Sequence, residues 1–255
     1  MRALVAIARN TFREALRDRV LYLFLGFAIV LLVSSKLFGL LTVGDEGKVI
    51  KDFGLAGIQL FSMLIAVMMS VLLISREVDS RTIYNILAKP VRRWQFLIGK
   101  YLGLLATVAL NLALMTAVLM AVTWIYLSEL DLGLLFAAAM ILLEMALLTA
   151  FATLFAVLTR PMLGTVFTLA VFVIGHVSED LRMLTSHVGS GLTRPLVSAL
   201  YYVLPNLERF NFKTEVVHGL GIPSQQVVLA IVYGLAYTAL VLVLACARFR
   251  SRDLT

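Results

Sequence analysis

Ser75–Lys100, SREVDSRTIYNILAKPVRRWQFLIGK, is a charged island between two long apolar runs. Arg76, Arg81, Lys89, Arg92, Arg93 and Lys100 face only two acids, Glu77 and Asp79. The stretch is too polar to cross a bilayer and too patterned to be a plain loop. Ile83, Ile86 and Leu87 fall at helical spacing and make one apolar stripe, while Arg81, Tyr84, Asn85 and Ala88 point elsewhere. Asp79 or Ser80 caps such a helix by accepting a free backbone N–H at its start. Pro90 stops it, because the residue before a proline is pushed out of the helical region. The expectation is a short helix over residues 79–89. It suits the socket of a soluble partner; the plainer alternative is an interfacial helix that only caps a loop.

The sequence around this island decides the class. Of the 255 residues, 61% are hydrophobic and only 15% charged, less charge than a soluble domain carries. The mean hydropathy is +0.98. The fold class expected is an all-α integral membrane protein forming a single transmembrane domain, with little length left for a separate soluble one. Nucleic acid is not an expected partner, since no basic-aromatic surface stands out. The one cysteine, Cys246, excludes an internal disulfide and a cysteine-cluster metal site on this chain.

Before the island, Arg2–Arg19 reads as a basic amphipathic helix in the headgroup layer. Leu4, Ile7, Ala8, Phe12, Ala15 and Leu16 recur at helical spacing. Val20–Leu41 is the first span; at 1.5 Å per residue it reaches roughly 33 Å, enough to cross the hydrocarbon. Its Lys36 can snorkel to the far interface. Phe53–Ile74 is the second span, with Gly54 and Gly57 allowing close approach of a neighbour. After the island come spans at Phe96–Leu127, Leu132–Leu158, Met162–His176 and Val227–Ala247. The fifth is short unless its helix starts inside the turn Thr159-Arg160-Pro161. Val177–Gln226 is a long outer segment whose LVSALYYVLPNLERF stretch reads as interfacial helix, anchored by Tyr201 and Tyr202.

Lys and Arg set the orientation. With the N-terminus inside, the inner segments hold fifteen of the 22: Arg2, Arg9, Arg13, Arg17, Arg19, Arg160, six between Arg76 and Lys100, and Arg248, Arg250 and Arg252. That bias places both termini in the cytoplasm, and six spans require both on one side.

The chain has no P-loop and no HExxH helix, and no nucleophile stands at fixed spacing from a base. No catalysis of its own is expected. Glu144, in ILLEMALL, is the one acid deep in a span and the intramembrane candidate. It reads either as a proton or substrate contact or as a hydrogen bond to a neighbouring helix. His176, His187 and His218 are scattered on the outer side and are not expected to bind metal.

Three features resemble the membrane permease of ABC exporters of the ABC-2 type: the helix ARNTFREALRDR leading into the first span, the loop REVDSRTIYNILAKPVRRWQFLIGK, and the outer YYVLPNLERFN. Within that family the last looks like the subgroup related to the permease of the copper-enzyme (nitrous oxide reductase) maturation exporter. Glu77, Thr82, Leu87, Pro90, Arg93, Gly99 and Lys100 sit where the family's coupling-helix pattern expects them; Arg81 departs from it, where many members have Gly. The resemblance implies a homodimer pairing with two ATPase subunits that bind the ATP and Mg, with no cofactor on this chain. It implies a bacterial or archaeal inner membrane and ATPase contacts along Glu77, Asp79, Arg81, Thr82, Tyr84, Asn85, Leu87, Lys89 and Pro90. An outer partner protein and export, or motion passed to that partner, are further expectations. An ion-coupled carrier using Glu144 and a non-transporting membrane anchor are the competing readings.

Overall fold

The computed structural model describes residues 2–39, 45–79, 92–128, 131–185 and 205–251. The described residues build eight α-helices and one 3-10 turn, with no strand among them. These are α1 (Arg2–Ala15), α2 (Arg19–Gly39), α3 (Glu46–Asp79), α4 (Arg93–Leu127), α5 (Gly133–Leu158), α6 (Pro161–Thr185), α7 (Lys213–Val217) and α8 (Ser224–Ser251), with the 3-10 turn at Glu208–Phe210 before α7.

Five helices are long and apolar enough to cross a membrane: α2, α3, α4, α5 and α8. The apolar part of α6, Pro161–Val177, is shorter. Its helix nevertheless starts in the turn, with Pro161 at the first helical position where its missing N–H costs nothing, and runs on to Thr185. It thereby takes up the first residues of the expected outer segment.

α4 shows the dimension of the bilayer. Exposed Trp94 and Trp124 stand at its two ends, about 45 Å apart at 1.5 Å per residue. That matches a full bilayer with both headgroup layers, where tryptophan concentrates.

The buried centre is α3 and α5, which pack on each other; α2 covers α3, and α8 covers α5. α2 and α8 turn most of their surface outward, with Phe27, Val30, Leu37, Val232, Leu235 and Val243 exposed as lipid-facing side chains. Gly54 and Gly57 are close-approach positions, as the sequence suggested. Gly54 lies under Leu119 of α4 and Gly57 under Leu31 of α2.

α1 does more than float in the headgroup layer. Its Ile7, Ala8 and Thr11 press on Gly99 and Gly103 of α4; a Cβ on Gly103 would stand 2.5 Å from the Ala8 carbonyl oxygen. Thr11 and Ala15 are fully buried, while Arg2, Arg9, Arg13 and Arg17 stay exposed on the other face.

The far end of the bundle is held by polar pairs. Lys51 of α3 meets Asp131 at 2.8 Å. Lys36 stands 3.8 Å over the Tyr126 ring, an aromatic seat for the cation that was expected to snorkel.

Candidate functional site

Two arrangements stand out: a clamp where the termini meet, and a buried polar cluster at the core.

The clamp surrounds the charged island. Arg76, near the end of α3, lies 3.5 Å from Asp18 Oδ2, and Asp18 Oδ1 accepts the Val20 N–H at 2.9 Å to cap α2. Arg93, at the start of α4, donates to the carbonyls of Phe249 (3.5 Å) and Arg250 (3.2 Å) in the last turn of α8. There a cation complements the negative end of the helix dipole. Phe96 stacks on Phe249 at 6.0 Å. Lys100 is buried and meets Glu14 of α1 at 3.3 Å. Both flanks of the island are therefore tied to α1, to the start of α2 and to α8. Of the expected partner-contact residues, Glu77 and Asp79 fall in the last turn of α3. Arg81, Thr82, Tyr84, Asn85, Leu87, Lys89 and Pro90 lie outside the described residues, as does the body of the expected 79–89 helix.

The buried cluster gathers around Gln59 of α3. Its Nε2 donates to Glu144 Oε2 at 2.8 Å and stands 2.9 Å from His176 Nε2, while its Oε1 accepts from the Lys213 ammonium. Ammonium against amide oxygen and carboxylate against amide N–H fix which way the amide points. His176 Nδ1 lies 3.0 Å from the Phe172 carbonyl, which can only accept. In the neutral ring Nδ1 therefore carries the proton and Nε2 accepts from Gln59. Glu144 is 1% exposed, and its second oxygen has His176 Nε2 at 3.5 Å without a hydrogen bond.

One amide thus joins α3, α5, α6 and α7. The sequence pointed to Glu144 and mentioned His176, but not as neighbours. Gln59 was missed although a polar amide in an apolar run is itself a signal. Lys213 belongs to the expected outer segment, Val177–Gln226, where nothing in the sequence singles it out. His218 is exposed at the end of α7, and His187 lies outside the described residues. No three metal-ligating side chains gather among the described residues.

α7 and the 3-10 turn are packed into the bundle rather than lying over it. Leu207, Phe210, Phe212, Val216 and Val217 are buried, and the Leu207 N–H donates to the Gly175 carbonyl of α6 at 3.0 Å. Beside them a cavity of about 520 Å³ opens against the first turns of α8.

The sequence pattern of the ABC-2 family transporter proteins matches residues 5–254, nearly the whole chain. The chain belongs to this family. The ABC-2 domain is a multi-pass membrane component of transporters and usually not itself catalytic. The search of curated proteins found no match.

Proposed function

We propose that this ABC-2 protein is the permease subunit of an ABC exporter: two copies pair with two separate ATPase subunits, which bind the ATP and Mg. Both termini face the cytoplasm of a bacterial or archaeal cell, and residues 79–89 dock in the ATPase. The observation that carries this reading is the clamp. Arg76 and Arg93 bracket the island and are tied to Asp18 and to the end of α8, so a displacement of the island reaches α1, α2, α3, α4 and α8 together. The related subgroup suggests service to an outer, copper-enzyme type partner, by transport or by transmitted motion.

Affinity purification of the chain from its native membrane, with an ATPase assay, tests the proposal. A stoichiometric P-loop partner with vanadate-sensitive hydrolysis is expected. A homo-oligomer without nucleotide hydrolysis would overturn it.

A second reading, an ion-coupled carrier, draws on the buried cluster. A proton on His176 Nε2 turns that atom from acceptor to donor, breaking its bond from Gln59 and aiming it at Glu144 Oε1. Transport that persists without ATP and collapses with the proton gradient would select it.

A further inference from the structure

We propose that the cleft between the 3-10 turn, α7 and α8 is a binding site for a diacyl phospholipid whose headgroup carries both a phosphate and a free ammonium. Arg209 and Glu215 line the same cavity of about 520 Å³, with Glu208, Asn211, Gln226 and Leu229. Arg209 stacks on the Tyr233 ring at 4.8 Å and has no ion-pair partner among the described residues. Among the described residues Glu215 likewise has no cation, and its Oε2 accepts no hydrogen bond. A cation and an anion that share a cavity without pairing fit a ligand bearing both signs. The phosphate suits the guanidinium, and an ammonium with N–H donors suits the carboxylate.

The place suits a lipid. Gln226 lies in the first turn of α8, at the end of the bundle away from the termini, which is headgroup level. Leu229 and Val232 beside it are exposed toward the bilayer, so the cavity has a lateral mouth. Beneath it runs a ladder of rings. Tyr233 meets Tyr237 at 5.6 Å, Tyr237 meets Phe151 at 6.0 Å, Phe151 meets Phe155 at 6.1 Å, and Phe155 meets Phe167 at 5.7 Å. The ladder ends at a second hollow of about 300 Å³ lined by Phe155, Phe167, Ala170, Val171 and Ile174, almost wholly apolar. An acyl chain lies along these rings into that hollow, with the headgroup on Arg209 and Glu215. Two carboxylates at the mouth, Glu208 and Glu215, disfavour a headgroup that carries only a negative charge. The site does not depend on ATPase pairing.

Native mass spectrometry of the delipidated full-length chain tests this, titrated with dioleoyl phosphatidylethanolamine, phosphatidylcholine or phosphatidylglycerol. Retention of the ethanolamine lipid about ten-fold above the glycerol lipid is expected, the worth of one charge-assisted hydrogen bond. Glu215→Gln, which keeps the side chain's size and removes its charge, is expected to abolish that preference, and Arg209→Gln is expected to weaken retention of all three lipids, since each carries the phosphate. Ala170→Trp, which fills the lower hollow, is expected to weaken retention of all three lipids. Equal retention of the ethanolamine and glycerol lipids, a preference unchanged in Glu215→Gln, or retention unchanged in Arg209→Gln would overturn the headgroup site. A homodimer that excludes lipid where the monomer takes it would assign the cleft to the second copy instead.

Discussion

Lys100 Nζ lies 3.3 Å from Glu14 Oε2, with the lysine side chain 2% exposed and the glutamate 40%. The pair joins a helix that spans to one that does not. A buried ammonium is costly to leave without its carboxylate, so α1 is held to α4 by a charge as well as by the close approach at Gly99 and Gly103. Glu14→Leu is expected to loosen α1, seen as faster proteolysis near Arg13 and Arg17 in detergent. Gly103→Val is expected to cost about 1–3 kcal/mol, the usual range for overpacking, because the added carbon meets the Ala8 backbone rather than a yielding side chain. Unchanged proteolysis and thermal midpoint in both would mean that α1 is held elsewhere.

The buried cluster makes an ordered prediction. Glu144→Gln preserves volume and an acceptor for Gln59, so thermal unfolding in detergent is expected to stay close to the parent. Gln59→Leu strips Glu144 of its donor and Lys213 of its acceptor at once. Leaving a buried polar group unsatisfied costs about 1–3 kcal/mol, more when it is charged. The double variant Gln59→Leu plus Glu144→Leu is expected to be less destabilised than the sum of its singles, since it removes both ends of the bond. The reverse order, Glu144→Gln the worst, would give the carboxylate a role beyond its bond to Gln59. Loss of activity with intact assembly in that variant would make the role functional.

The island makes a third. Tyr84→Asp plus Asn85→Asp is expected to detach or uncouple the ATPase while leaving the spans folded, measured by co-purification and hydrolysis. Arg93→Ala acts from the other side of the same clamp. It frees the last carbonyls of α8, and is expected to keep the ATPase bound but lower coupling between hydrolysis and transport. Normal co-purification and activity in the first variant would remove the coupling-helix assignment.

What the sequence showed and hid follows from the physics of lipid. The five long apolar helices were legible because a backbone in hydrocarbon must satisfy its own hydrogen bonds, which forces long uncharged runs. Glu144 was legible because a charge in such a run is rare. Gly54 and Gly57 marked close approach, but which residues meet in the packing of those runs was not legible. Leu119 over Gly54 and Thr11 against Gly103 arise from small residues that are frequent in every span. Nor did any pattern pair Lys51 with Asp131, eighty residues on, or bring Lys213 from an outer segment to Gln59. The start of α6 at Pro161 depended on whether a two-residue turn sufficed, which local composition left open.

Orientation is the last prediction, and the chain is suited to testing it. Cys246 is its single cysteine, so Cys246→Ser gives a background free of thiols. Asp45 lies before α3 with its side chain 60% exposed, and Arg17 is exposed in the turn between α1 and α2. The first belongs to the end of the bundle with Lys51 and Asp131, the second to the end with Asp18 and Arg76. A cysteine placed at 45 is expected to react with a membrane-impermeant maleimide in intact cells, and one placed at 17 only after lysis. The excess of Lys and Arg on the side of the termini dictates this result, because positive segments resist translocation. The opposite labelling would put the island outside the cell, away from any source of ATP, and would remove ATPase docking and the clamp's role with it. The polar cleft at Arg209 and Glu215 would then face the cytoplasmic leaflet, its lipid chemistry unchanged.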